Sequence, residues 1–115
     1  MLYQGSCHCG AIAFEVEANI EQLIDCNCSY CSRKGGLLFF VNRDQLKMLT
    51  PEKDMARYTF NKHMINHHFC PKCGISPLGF GSDRNGVQKA AINARCLENV
   101  DLSQFRIMHV DGRSL

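Results

Sequence analysis

Tryptophan is absent from the 115 residues, and tyrosine occurs only three times. A stacking platform for nucleobases therefore has little to be built from. The net charge is +2, and the lysines and arginines are scattered rather than gathered into a stripe. Nucleic acid and anionic membranes find no electrostatic footprint here. No apolar stretch approaches the length of a membrane span. The opening "MLYQGSCHCG" lacks the basic start and apolar run of a secretory signal. The expectation is a cytoplasmic protein with no nucleic-acid or membrane partner. "GFGSDRNG" holds glycines but neither the phosphate-loop pattern nor a following helix, so it reads as a turn. No serine–histidine–acid arrangement stands out, and Ser29, Ser32 and Ser76 read as turn residues.

What the chain has in excess is cysteine: Cys7, Cys9, Cys26, Cys28, Cys31, Cys70, Cys73 and Cys96. In a reducing compartment such clusters bind metal more often than they form disulfides. The length suits one domain over residues 1–115. A domain of this size buries about two thirds of its unfolded surface, so cross-links through metal would add to a modest core.

Linkers, repeats and low-complexity segments are not apparent. "AIAFEVEA" alternates Ile12, Phe14 and Val16 against Ala13, Glu15 and Glu17, the period of a half-buried strand. "GLLFFV" predicts a buried strand over 36–41. "NRDQLKML" predicts a helical turn opened by Asn42 or Asp44, and Pro51 prevents anything longer. "ARYTF", "NHHF", "GISPLGFG", "VQKAAINARCL" and "RIMHV" read as strands, with Val87, Ala91 and Ile92 as core candidates. "DLSQF" predicts one turn capped by Asp101. The sum is a mainly β fold of short antiparallel strands with little helix.

"CPKCG", Cys70 to Gly74, is the strongest local signal. The C-x-x-C spacing lets two thiolates reach one tetrahedral ion from a tight turn, and the glycine permits the backbone angles this needs. A redox pair is the rival reading, but no helix follows. "CHC", read as strand, would put Cys7 and Cys9 on one face and His8 on the other. Joined to "CPKC", it completes a closed four-sulfur site of structural type. That leaves Cys26, Cys28 and Cys31 in "DCNCSYC", three thiols with one coordination position to spare. Catalytic zinc keeps such a position open, whereas structural zinc does not. The alternatives are closure by Cys96 or by a histidine such as His67 or His68, a thiol redox switch, or other groupings of the same sulfurs. Cys96 reads as a buried apolar thiol near a strand end. In "NKHMINHH", His67 and His68 are adjacent and so face opposite ways in a strand; with His63 they read as surface or metal-flanking residues. Arg33 and Lys34 place positive charge after the trio, where a carboxylated substrate would be steered.

In order, "SCHCG", "DCNCSYCSRKGG", "FCPKCGISP" and "NARCLENVDL…HVDGRSL" resemble the glutathione-dependent formaldehyde-activating enzyme family, also called the CENP-V/GFA domain. The resemblance covers nearly the whole chain, from about Gly5 onward. It implies an Mss4-like β fold with two zinc ions per chain. One would be structural, on Cys7, Cys9, Cys70 and Cys73. The other would be catalytic, on Cys26, Cys28 and Cys31, with an exchangeable fourth ligand. It further implies a carbon–sulfur lyase-type reaction that joins formaldehyde to the thiol of glutathione, so the expected partners are a small thiol and a small aldehyde. A non-catalytic, zinc-stabilised binding module is the alternative, since Mss4-like folds also serve interaction.

Overall fold

The computed structural model describes residues 1–60 and 64–114. Among these residues ten strands form two sheets. β1 (Leu2–Ser6), β2 (Ala13–Glu17) and β5 (Leu46–Met48) make a three-stranded antiparallel sheet in the order β1-β2-β5. The larger sheet has the order β10-β3-β4-β9-β8-β7-β6. It is built from β3 (Gln22–Cys26), β4 (Leu38–Asn42), β6 (Ala56–Tyr58), β7 (Asn66–Phe69), β8 (Leu78–Ser82), β9 (Gln88–Asn93) and β10 (Arg106–Val110). Among the described residues all pairings are antiparallel except β10 with β3, which run parallel. One α-helix, α1 (Ser29–Lys34), is present among the described residues. The fold is mainly β with little helix, as the sequence predicts. No described helix is long and apolar enough to cross a membrane.

The alternation in β2 is realised: Phe14 and Val16 are buried, while Glu17 is exposed. Opposite them, the larger sheet turns Leu23, Phe39, Val41, Leu78, Phe80, Ala90 and Ile92 into the same core. Each fully buried side chain of this size contributes about 1.5–3 kcal/mol. Of the three core candidates in this stretch, Ile92 is buried as expected, and Val87 and Ala91 are not. Ala90 and Ile92 are buried, whereas Val87 precedes the strand and is 44% exposed, and Ala91 points to the outer face. Asp83 accepts from the Asn85 and Val87 amides and so holds Val87 in the turn. "NRDQ" forms a 3-10 turn after Asn42, whose amide donates to the Gln45 side chain. Asp101 caps Leu102–Gln104 by accepting from the Ser103 amide at 3.0 Å.

Candidate metal centre

Two hairpin loops meet between the sheets. β1 and β2 are joined through Cys7 and Cys9, and β7 and β8 through Cys70 and Cys73. The four sulfurs all lie within 4.8 Å of one another, with Cys7–Cys9 at 3.8 Å and Cys9–Cys70 at 3.5 Å. A tetrahedral ion with zinc–sulfur bonds of about 2.3 Å sets sulfurs ~3.8 Å apart, so the thiols stand at metal-holding distance. Disulfides need about 2.05 Å, and all eight cysteines are unbridged.

The two loops use the same backbone device. In each, a glycine at positive φ, Gly10 at 84° and Gly74 at 81°, donates its amide to the carbonyl of the first cysteine. The sulfurs of those first cysteines collect amides as well: Ile12 N–H to Cys7 Sγ, and Lys72 and Cys73 N–H to Cys70 Sγ. This corrects the strand reading of "CHC": Cys7–Gly10 is a turn, and convergence comes from the bend rather than from a shared strand face. His8 is exposed. Hydrogen bonds split the thiols' proton affinities. The Ile75 amide and the Cys9 backbone lower Cys73 to about 6. For Cys9, the Ala11 amide lowers the value, but the Cys70 sulfur and burial outweigh it and push it up to about 11.

The second cluster is local in sequence. Cys26 ends β3, Cys28 is the residue before α1, and Cys31 lies in its first turn; their sulfurs are also within 4.8 Å of one another. Cys28 caps the helix, since its sulfur accepts from the Cys31 amide at 3.3 Å. Burial opposes ionisation of Cys28, but that amide, aided by the neighbouring thiols, lowers its pKa. Burial and the two neighbouring sulfurs push Cys31 up to about 12. Three thiolates so close repel one another, and a cation relieves the repulsion.

The helix was not expected from the sequence. The C-terminal strand holds the loop from the other side. The Asn27 amide donates to the Val110 carbonyl, and the Arg113 amide to Asn27 Oδ1, both within 3.1 Å. Gly112 packs so closely that a Cβ there would lie 2.5 Å from Cys26 Sγ. Neither Gly112 nor the Asn27 contacts carry a signal of their own in the sequence.

The trio opens onto a cavity of about 270 Å3, lined among others by Ile24, Tyr30, Lys34, Phe40, Phe60 and His67. His67 and Tyr30 have ring centroids 4.1 Å apart, and Phe60 stacks on both. Lys34 lies 5.8 Å over the Tyr30 ring, and burial lowers its pKa against the pull of Cys31 and Cys96. His67 is held below the usual histidine value by burial, then by Lys34 and His68. His68 faces the other way, edge-on to Phe80 at 4.9 Å. The two histidines therefore part company as strand neighbours should, but both are half-buried rather than surface residues. His63 lies outside the described residues. Cys96 belongs to neither cluster; it sits half-buried in a 3-10 turn, Ala94–Cys96, rather than in the strand, and burial pushes its thiol up to about 11. Arg33 donates to the Ser29 carbonyl at 2.8 Å.

A mainly β protein that gathers seven cysteines into two clusters of metal-holding geometry is thus defined. The model of the family described as glutathione-dependent formaldehyde-activating enzyme matches residues 2–108, and the chain belongs to that family. The fold is similar to the crystal structure of a Rhodobacter sphaeroides protein, with a TM-score of 0.77 and 26% identity. That match covers 91% of this chain and 99% of the other.

Proposed function

We propose that the chain, folded as one domain, is a zinc-dependent enzyme of carbon–sulfur lyase type that adds a thiol to formaldehyde or a related small electrophile. Cys7, Cys9, Cys70 and Cys73 hold a structural zinc. Cys26, Cys28 and Cys31 hold the catalytic one. The observation that carries the reading is the contrast in surroundings: the trio lines a cavity, whereas the tetrad joins two loops, with Cys7 and Cys70 in the core, Cys73 half-buried and Cys9 exposed. Family membership supports the reaction type and, for the family in general, glutathione and an aldehyde as reactants.

Zinc held by the thiolates of Cys26, Cys28 and Cys31 would supply a soft open position that favours the deprotonated form of a thiol. The rest is work for the protein's own groups. His67, on the cavity wall with a lowered pKa, is neutral near pH 7 and can take the thiol's proton. The sulfur lone pair forms the carbon–sulfur bond, and the carbonyl π pair moves to oxygen. That oxygen receives the proton from the His67 imidazolium, giving R–S–CH2OH with no change in oxidation. In the reverse direction the carbon–sulfur electrons return to sulfur. The apolar walls exclude competing water. His68, on the other side of β7, takes no part.

The test is exchange between free and hydroxymethylated thiol, followed by NMR on zinc-loaded protein. Wild type accelerates the exchange, and Cys28→Ser reduces it to background while remaining folded. Undiminished exchange in a folded Cys28→Ser protein contradicts the assignment.

A further inference from the structure

The outer face of the larger sheet carries an apolar row that is covered only at one end, where Tyr30 and Phe60 lie against His67. Cross-strand partners Tyr58, His67, Gly79, Ala91 and Phe40 form one row across five strands. Partners in such a row point to one face. The middle of the row is small and its ends are large, so it makes a trough. Phe40 and Tyr58 are 56% and 50% exposed, and Ile65 beside the row is 49% exposed. The trough joins two spaces. The trio's cavity of about 270 Å3 shares Phe40, Ile65, Gly79 and Ala91 with a second of about 320 Å3 that runs on to Lys89. Together they fall within the range of ligand sites, about 300–1,000 Å3. Gly79 is not at positive φ, so backbone freedom is not what it supplies. Its missing side chain leaves the floor low. A Cβ there would lie 3.2 Å from the Asn66 carbonyl oxygen, so it is the backbone of β7 that approaches Gly79 closely.

The charge on these walls is sparse. Lys34 and Lys89 are the cations lining the two spaces. Lys89 donates to Asn42 Oδ1 at 2.5 Å, and Lys34 lies over Tyr30. Arg33 lines a separate recess beyond Tyr30 and already donates to the Ser29 carbonyl. Asp83 also lines the second space but already accepts the Asn85 and Val87 amides, so a peptide thiol bearing two carboxylates and an ammonium would set its charge mostly against apolar side chains, which is costly.

We infer that the trough takes the carbon skeleton of the thiol, and that the thiol is a compact apolar one, of aryl or arylalkyl type, rather than glutathione. This rests on the thiol-capture reading above and narrows its substrate class. Sulfur sits at the open corner of the trio, and the ring lies on the Gly79–Ala91 floor against Phe40, Tyr30 and Phe60. Ala91 and Phe40 then determine specificity by shape, without touching the trio's sulfurs.

Benzyl mercaptan and glutathione are the probes. Visible absorption of the cobalt-loaded protein reads sulfur ligation at the trio. Amide NMR shifts of Gly79 and Ala91 in the zinc-loaded protein read occupation of the trough, and toluene supplies a ligand without sulfur. Benzyl mercaptan is expected to bind at least tenfold more tightly than glutathione and to move both signals. Ala91→Leu fills the floor and is expected to weaken benzyl mercaptan tenfold or more while leaving the cobalt spectrum of the free protein unchanged. Should the larger residue prevent folding, Phe40→Ala on the exposed wall gives the same direction. Glutathione binding as tightly as benzyl mercaptan, or benzyl mercaptan unaffected by both variants, overturns the inference. Toluene and benzyl mercaptan shifting Gly79 and Ala91 with no cobalt response would sink thiol capture and keep the apolar trough. A cobalt response without those shifts would keep thiol capture and sink the trough.

Discussion

The two cysteine clusters use the same atom for different ends. The tetrad joins residues more than sixty positions apart, Cys9 and Cys70 among them, and so ties the small sheet to the large one. The trio spans Cys26 to Cys31 and ties nothing that the chain has not already brought together. A metal in the first would be a fold element. In the second it would add little to folding, since closing so short a loop restricts the unfolded chain least. Burial follows this division in part: Cys7 and Cys70 lie in the hydrophobic core, although Cys9 is exposed, while the trio's three are half-buried beside a cavity.

The sharpest way to break this comparison is to remove one sulfur from each cluster. Cys73→Ser is expected to abolish the cooperative thermal transition, since structural zinc supplies on the order of 10–16 kcal/mol in small zinc-folded peptides. Circular dichroism melts check this. Cys28→Ser is expected to keep a cooperative melt and to lower bound zinc from two ions toward one per chain, as measured by elemental analysis. A smaller effect is predicted at Gly112. In Gly112→Ala the new methyl crowds Cys26 Sγ and the Cys28 Cβ, so affinity for the second ion falls by about 10–100-fold with the first unchanged. Competition with a chromophoric chelator resolves the two steps.

The smallest effect concerns pH. Burial lowers the His67 pKa in the folded chain, so below the ordinary histidine value the unfolded state takes up the proton first. Stability is therefore full above about pH 6.5 and falls as pH drops through the window between the unfolded and folded values. His67→Gln removes one proton from that linkage. Its stability, from urea titrations, is expected to fall less steeply than that of wild type below pH 6.5, by up to about 1.4 kcal/mol per pH unit. Parallel slopes would show that His67 is not so held.

Much of this was legible in the sequence. The alternation of "AFEVE" shows which face of β2 is buried, and C-x-x-C followed by glycine shows a metal-competent turn before any fold is known. The same logic failed at "CHC". A period of two places sulfurs side by side in a strand, but a glycine with positive φ three residues after Cys7 achieves the same by a turn. α1 was not legible because it is six residues long, too short for an apolar face, and is capped by a cysteine sulfur. The parallel pairing of β10 with β3 depends on a partner some eighty residues away. The trough was also invisible. It arises from register, which sets Gly79 and Ala91 between Phe40 and His67 on strands far apart in sequence.

Zinc-edge X-ray absorption of the doubly loaded protein, before and after a saturating thiol, tests the division of labour most directly. One ion bound by four sulfurs and a second by three sulfurs and one oxygen are expected at first. The thiol should then raise the sulfur number at the second ion alone. An all-sulfur or histidine-ligated environment at both ions before thiol is added, unchanged afterwards, would contradict the account.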